Sequence, residues 1–195
     1  MTYLHAKDVL DRLVAVVGGI LISPVLLGIA LLIKLDSRGP VIFRQTRVGK
    51  NRQNFTIYKF RTMQVGSKQL KRADGTVITT GNDPRVTYIG RFLRSGLDEL
   101  PQLWNIIIGE MSFVGPRPDL PEQLTGFSRE QLEKYNIKPG ITNLPAVCGR
   151  NDLDFQDRIA IDLFYIANQD FLLDMKIIMF TLMLPFGVRY KFKRA

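Results

Sequence analysis

The chain has 195 residues, 46% of them hydrophobic, and carries 27 Lys and Arg against 18 Asp and Glu, a formal charge of +9. That length suits one domain, and the hydrophobic content excludes a bundle built only of membrane helices. A single cysteine, Cys148, excludes an internal disulfide and a cysteine-ligated metal cluster, while the net charge calls for an anionic partner: lipid headgroups, phosphorylated small molecules or nucleic acid.

The only histidine, His5, is expected at the surface without a role. Residues 13–33 contain no charged side chain, and a run of about 20 apolar residues is enough to cross a bilayer as a helix. It is long for the apolar core of a cleaved leader. Ser23-Pro24 interrupts the run. A proline inside a helix removes a hydrogen bond and costs about 3 kcal/mol, and the Ser23 hydroxyl can satisfy a carbonyl so freed. Lys7 and Arg12 precede the run, and Lys34, Arg38 and Arg44 follow it, so charge bias selects neither orientation. A straight span and a helix that breaks at Ser23-Pro24 and returns to the same face both stay open on these grounds.

Residues 37–73 lack any Asp or Glu but hold Arg44, Arg47, Lys50, Arg52, Lys59 and Arg61 among other basic residues. An apolar stretch at 177–186 leads in the same way into Arg189, Lys191, Lys193 and Arg194. Basic clusters directly after apolar stretches suit anionic headgroups, at roughly 1 kcal/mol per Lys or Arg. Stacking aromatics within the basic run are limited to Phe55, Tyr58 and Phe60, and no nucleic-acid-binding signature accompanies them, so the reading is of no nucleic-acid partner.

Farther along, Val41-Ile42-Phe43 and Phe55-Thr56-Ile57-Tyr58 bracket a turn-rich stretch and predict a β-hairpin. Residues 64–82 are polar and rich in turn signals, and a mobile loop is expected. Leu100, Leu103, Trp104, Ile107 and Ile108 recur at helical spacing, with Gly109 as a stop. A short surface helix is expected over 122–135, then helices over 155–164 and 171–186, the last in or near the membrane interface.

Asp98 and Glu99 are adjacent carboxylates at the entrance to the Leu100–Ile108 pattern, and Pro101 marks a first helical turn. In isolation they read first as a capping residue and a dipole-stabilising acid, Ser95-x-x-Asp98 even resembling a capping box. Three arginines shift that balance: Arg94 beside Ser95-Gly96, Arg117 between Pro116 and Pro118, and Arg150 after Gly149. Guanidinium forks held at turns suit phosphate oxygens. Paired carboxylates with such arginines suit a diphosphate carrying a divalent cation.

Seven stretches together resemble a known family: Pro40-Val-Ile-Phe-Arg-Gln-Thr-Arg-Val-Gly49, Tyr58-Lys-Phe-Arg-Thr-Met63, Asp83-Pro-Arg-Val-Thr87, Leu97-Asp-Glu-Leu-Pro-Gln-Leu-Trp-Asn105, Gly109-Glu-Met-Ser-Phe-Val-Gly-Pro-Arg-Pro118, Lys138-Pro-Gly-Ile-Thr142 and Gly149-Arg-Asn151. In this order they are similar to the bacterial sugar transferases, the monotopic phosphoglycosyl transferases, over nearly the whole chain. The resemblance implies transfer of a sugar 1-phosphate from a UDP-sugar to polyprenyl phosphate through a covalent aspartyl intermediate, releasing UMP. It implies Asp98 as nucleophile, Glu99 as its assistant, and Mg²⁺ bridging Asp98 and the diphosphate. Substrate contacts are implied for Arg94, Arg117, Arg150, Asp162, Lys59 and Arg61. It also implies an α+β fold, mostly helical, with a re-entrant helix in residues 1–38 broken at Ser23 and Pro24, and a catalytic domain in 39–195. That domain would lie on the cytoplasmic face of the bacterial inner membrane, and a homodimer is compatible with it. The chain departs from the family pattern at Arg94, one residue closer to the acidic pair, and at Asn143-Leu-Pro-Ala-Val-Cys148, where a Gly-Trp-Ala-Gln-Val-Asn-like run is expected. The competing reading is a non-enzymatic membrane-surface scaffold, which explains the charge and the anchor but leaves Asp98, Glu99 and Arg117 without a purpose.

Overall fold

In the computed structural model, which describes residues 3–67, 83–149 and 153–190, the chain begins with a 34-residue helix, α1 (Tyr3–Asp36). Pro24 lies inside it and has no N–H to offer the Ile20 carbonyl. The Ser23 hydroxyl donates to that carbonyl instead, at 2.8 Å. The break expected at Ser23-Pro24 is therefore one substituted hydrogen bond inside a single helical element.

The buried residues of α1 are Asp11, Ala15, Ile29 and Ile33. Positions 18 residues apart are five turns apart, so these four share one face. Ala15 packs with Phe55 and Ile57, while Ile29 and Ile33 pack with Phe60 and Leu93. Both parts of the helix thus pack on the same folded body, chiefly against Leu103–Ile107, Tyr88–Leu93 and Ser112–Val114, and the stretch between exposes Val16, Val17, Ile20, Leu21, Val25 and Leu27. Polar ties fix each end. Tyr3 and Lys7 donate to Asp174 at 2.6 and 2.5 Å, and the Ser112 hydroxyl donates to Asp11 at 2.5 Å. At the other end Arg61 donates to the Ser37 carbonyl at 2.8 Å, the Ser37 hydroxyl at 3.0 Å and the Arg38 carbonyl at 2.5 Å.

The predicted hairpin forms from β1 (Ile42–Val48) and β2 (Asn54–Phe60), antiparallel with Ile42 opposite Phe60 and Val48 opposite Asn54. A short helix, α2 (Tyr88–Leu93), follows, its start capped by the Thr87 hydroxyl, which accepts from Gly90 N at 3.0 Å. A 3₁₀ turn at Leu97–Gln102 runs into α3 (Leu103–Ile107), and Gly109 ends it at φ +88°. Two three-residue strands, β3 (Ser112–Val114) and β4 (Gly140–Thr142), pair in parallel. Between them the expected surface helix is replaced by two 3₁₀ turns, Pro121–Gly126 and Gln131–Asn136. Lys134 and Tyr135 are buried there, so the segment turns inward rather than presenting one polar face.

The chain ends in α4 (Leu144–Cys148), α5 (Phe155–Asn168) and α6 (Phe171–Met183), the last two at the predicted places. Val114, Leu144, Val147, Ile161, Tyr165 and Ile177 form their common core. The fold is thus mixed, of helices and two small sheets, with one long apolar N-terminal helix. Most of the loop expected at 64–82 (residues 68–82), together with Arg150 and the basic residues Lys191, Lys193 and Arg194, lies outside the described residues.

Candidate active site

Asp98 and Glu99 occupy the first turn of the Leu97–Gln102 3₁₀ helix, behind Gly96 at φ +120°. Neither acts as an end cap: the cap position is Gly96, with no side-chain bond, and the Ser95 hydroxyl donates backward to the Phe92 carbonyl at 2.9 Å. The end-capping alternative therefore loses its footing, although both acids do lie in the first turn. Asn105, fully buried, holds this turn against β2. Its amide donates to the Thr56 carbonyl at 2.7 Å and to Glu110 at 2.8 Å, and its oxygen accepts from Tyr58 N at 3.3 Å.

That clamp sets Lys59, at the end of β2, against the acidic pair. The Lys59 ammonium lies 2.5 Å from Glu99 Oε1, and burial, partly offset by Glu99, lowers its pKa. Burial likewise raises the pKa of Asp98; Lys59 opposes that shift, Glu99 adds to it, and Arg94 opposes it more weakly. A carboxylate taken partly out of water, beside one cation and one anion, is weakly hydrated, the kind of perturbed group that marks a candidate functional site.

Arg94 is half-buried and points its Nε toward the Thr62 hydroxyl at 3.4 Å. Arg117 is exposed between the buried Pro116 and Pro118, and its charge acts on both Lys59 and Arg47. Lys59 and Arg94 therefore both act on Asp98, and Arg117 acts on Lys59. Arg61 does not join them, because its guanidinium is engaged by the carbonyls that end α1. Asp162 is buried in α5, 3.5 Å from Lys134, which lies 2.6 Å from Asp119; Tyr135 donates to Asp119 at 2.7 Å. Burial pushes the Asp162 carboxyl up to about 6 despite Lys134. Asp162 reaches the site indirectly, by buttressing the segment that carries Arg117. Cys148 is a protonated thiol, pushed up to about 11 by burial.

Arg47, which the sequence places in the basic run and in the Pro40–Gly49 stretch, donates to the Pro118 carbonyl at 3.2 Å and to Gln45 Oε1 at 2.7 Å. In the hairpin register Arg47, Gln45 and Lys59 fall on one face, and strand alternation was the signal that could have found the Gln45 contact. Among the described residues no cluster of three or more His, Cys, Asp or Glu side chains could cage a metal. The Asp98-Glu99 pair instead fits Mg²⁺, which uses one or two carboxylates together with substrate phosphates.

Residues 2–187 match the family model described as bacterial sugar transferase. The chain is 42% identical over 184 residues to the Klebsiella pneumoniae protein named UDP-glucose:undecaprenyl-phosphate glucose-1-phosphate transferase, covering 90% of this chain and 39% of that protein. It is 37% identical over 190 residues to galactosyl transferase CpsE of Streptococcus agalactiae serotype III, strain NEM316, covering 93% of this chain and 42% of that protein. Against exopolysaccharide production protein PSS of Rhizobium leguminosarum bv. phaseoli it is 41% identical over 189 residues, covering 91% and 92% of the two. The chain thus spans about two fifths of the length of the first two relatives and nearly all of the third.

Proposed function

This chain belongs to the bacterial sugar transferase family, and from that membership we propose that it moves a sugar 1-phosphate from a UDP-sugar to polyprenyl phosphate, with Asp98 as nucleophile. The observation that carries the reading is the Asp98-Glu99 pair on a rigid 3₁₀ turn, with Lys59 bonded to Glu99 at 2.5 Å and the arginines Arg94 and Arg117 alongside. In the first step an Asp98 oxygen attacks the sugar-linked phosphorus. The new phosphorus–oxygen bond forms as the bond to the bridging oxygen breaks, and the electron pair leaves on UMP. In the second step an oxygen of polyprenyl phosphate attacks the same phosphorus, and Asp98 departs as a carboxylate. Splitting the transfer in two lets one site serve a soluble donor and a lipid acceptor in turn.

Glu99 receives a proton from the incoming phosphate when that phosphate arrives protonated, and Lys59 holds Glu99 in place until then. Lys59, Arg94, Arg117 and Arg150 neutralise the charge that spreads over the phosphoryl oxygens. Mg²⁺, held by Asp98 and the substrate diphosphate, would add further charge neutralisation when bound.

A one-sided, re-entrant placement of α1 accounts for its packing. Seating of the helix at Ala15 and again at Ile29 and Ile33 on one folded body supports keeping both its ends on one side of a hydrocarbon layer about 30 Å thick. Its exposed apolar middle, and the exposed Leu172, Leu182 and Phe186 near the C-terminus, would enter the membrane from the cytoplasmic face, where UDP-sugars are found. The test is UMP release from a panel of UDP-sugars in the presence of undecaprenyl phosphate and Mg²⁺. Release that depends on Asp98, and that continues beyond one equivalent per chain only when the lipid phosphate is present, supports the reading; none with any donor removes it.

A further inference from the structure

We propose that an exposed strip made of Pro101, Trp104 and Ile108 seats the hydrocarbon chain of the lipid acceptor while its phosphate reaches Asp98, an inference that rests on the sugar-phosphate transfer reading. The 3₁₀ turn Leu97–Gln102 and α3 form one helical run, because Gln102 (φ −66°, ψ −13°) and Leu103 (φ −52°, ψ −34°) both keep right-handed helical geometry. Ile108 extends the run by donating its N–H to the Trp104 carbonyl at 3.0 Å. A 3₁₀ turn takes about 3 residues and an α turn about 3.6, so Pro101 and Ile108 fall nearly in line with Asp98, and Trp104 within about 40° of it.

The packing of the run agrees with these faces. Leu97 and Leu100 pack with Ile29 and Ile33 of α1, and Leu103 and Ile107 pack with Ala15, so one face lies on the N-terminal helix. Glu99 and Asn105 turn to the other side, where Glu99 meets Lys59 at 2.5 Å and Asn105 bonds the β2 backbone at Thr56 and Tyr58. Gln102 and Ile106 point inward and are buried. The face left over carries Asp98, Pro101, Trp104 and Ile108. Trp104 is 55% exposed and Ile108 44%, so two large apolar side chains stand uncovered on the face of the acid.

An apolar strip that starts at the nucleophile suits a ligand with a phosphate at one end and a hydrocarbon chain behind it. The acceptor has that form, and it must bring its phosphate to Asp98 without drawing its whole chain into water. The rise from Asp98 is about 11 Å to Trp104 and about 17 Å to Ile108, room for the first isoprene units to lie along the strip. Because the neighbouring face of the run packs on α1, the strip borders the exposed apolar stretch of that helix, and the rest of the chain continues into the membrane there. The cation Lys59, bonded to Glu99 on the other side of the run, stands near the phosphate end.

Trp104 is the only tryptophan in the chain, so its emission reads the strip directly. With the full chain in nanodiscs of phosphatidylcholine, undecaprenyl phosphate is expected to shift that emission and to saturate at one molecule per chain, whereas added phosphatidylglycerol is not. Trp104→Ala is expected to raise KM for undecaprenyl phosphate about tenfold, the worth of one large apolar side chain, and to leave the first-turnover release of UMP without acceptor unchanged. Ile108→Ala is expected to give a smaller rise of the same kind and carries the test if Trp104→Ala fails to fold, as judged by melting temperature. An unchanged acceptor KM, an absent emission shift, an equal shift with phosphatidylglycerol, or equal losses in UMP release and in the acceptor step would overturn the assignment; the last two would make Trp104 an anchor in bulk lipid. A parent chain that releases no UMP from any UDP-sugar would overturn the functional reading and this inference with it.

Discussion

The Lys59 ammonium meets Glu99 Oε1 at 2.5 Å and also acts on the neighbouring Asp98, so one cation from the hairpin addresses both site carboxylates. Lys59 holds down the pKa of Asp98 against burial. Removing it raises that pKa further, and the proposed attack by Asp98 needs the carboxylate form. Lys59→Met is expected to lower kcat/KM for the donor by roughly a hundredfold and to move the acid limb of the pH profile upward, whereas Lys59→Arg keeps part of the activity. A loss with an unmoved acid limb would mean that Lys59 touches substrate without tuning Asp98.

The buried Asp162 gives a pH-dependent stability. Its folded pKa, raised by burial to about 6, exceeds that of an unfolded aspartate, near 3.9, so folding takes up a proton between those values. Its contribution is therefore fully present below about pH 4 and is lost as pH rises through about 6. Asp162→Asn is expected to match the parent in melting temperature near pH 4 and to gain on it up to about pH 6, with no further gain above. A constant difference at all pH values would contradict the buried, proton-binding state.

Gly90 presses on the backbone of the segment that leads from β2 to the site. A Cβ at this position would lie 2.2 Å from the Thr62 carbonyl oxygen and 2.7 Å from its carbon. Both are backbone atoms that cannot rotate away. Gly90→Ala is expected to cost about 1–3 kcal/mol of stability, while Gly126→Ala, with nothing within 4 Å, is expected to be nearly neutral. Equal melting temperatures for the two variants would show that α2 shifts easily relative to Thr62.

The elements legible in the sequence are those with local signals. The hairpin, α5 and α6 were foreseen from alternation, helical spacing and turn residues, and the acidic pair from its place before Pro101. What escaped depends on contacts between distant positions. The three-residue strands β3 and β4 pair across more than twenty intervening residues and are too short to show a period. Lys134 sits in a polar stretch that reads as surface, yet it is buried because Asp119 and Asp162 both face it. Arg61 reads as a phosphate ligand by motif, but its place next to the end of α1 gives its donors to three backbone carbonyls, those of Ile33, Ser37 and Arg38.

The placement of α1 is open to direct labelling. Leu4 and Leu35, near its two ends, are exposed. In a Cys148→Ser background, Leu4→Cys and Leu35→Cys are expected to react with an impermeant maleimide from the same, cytoplasmic side of membrane vesicles. Combining Ser23→Ala with Pro24→Leu restores the backbone bond to the Ile20 carbonyl that the Ser23 hydroxyl now satisfies, and is expected to shift part of the population to labelling from opposite sides. Opposite-side labelling in the parent would establish a transmembrane span.

The most direct measurement of the central claim is the intact mass of the protein after brief exposure to UDP-sugars and Mg²⁺ without lipid acceptor. The account predicts a gain equal to one sugar phosphate that disappears in Asp98→Asn and is discharged by undecaprenyl phosphate. Turnover that persists in a folded Asp98→Asn protein, with no adduct on the parent, would contradict it.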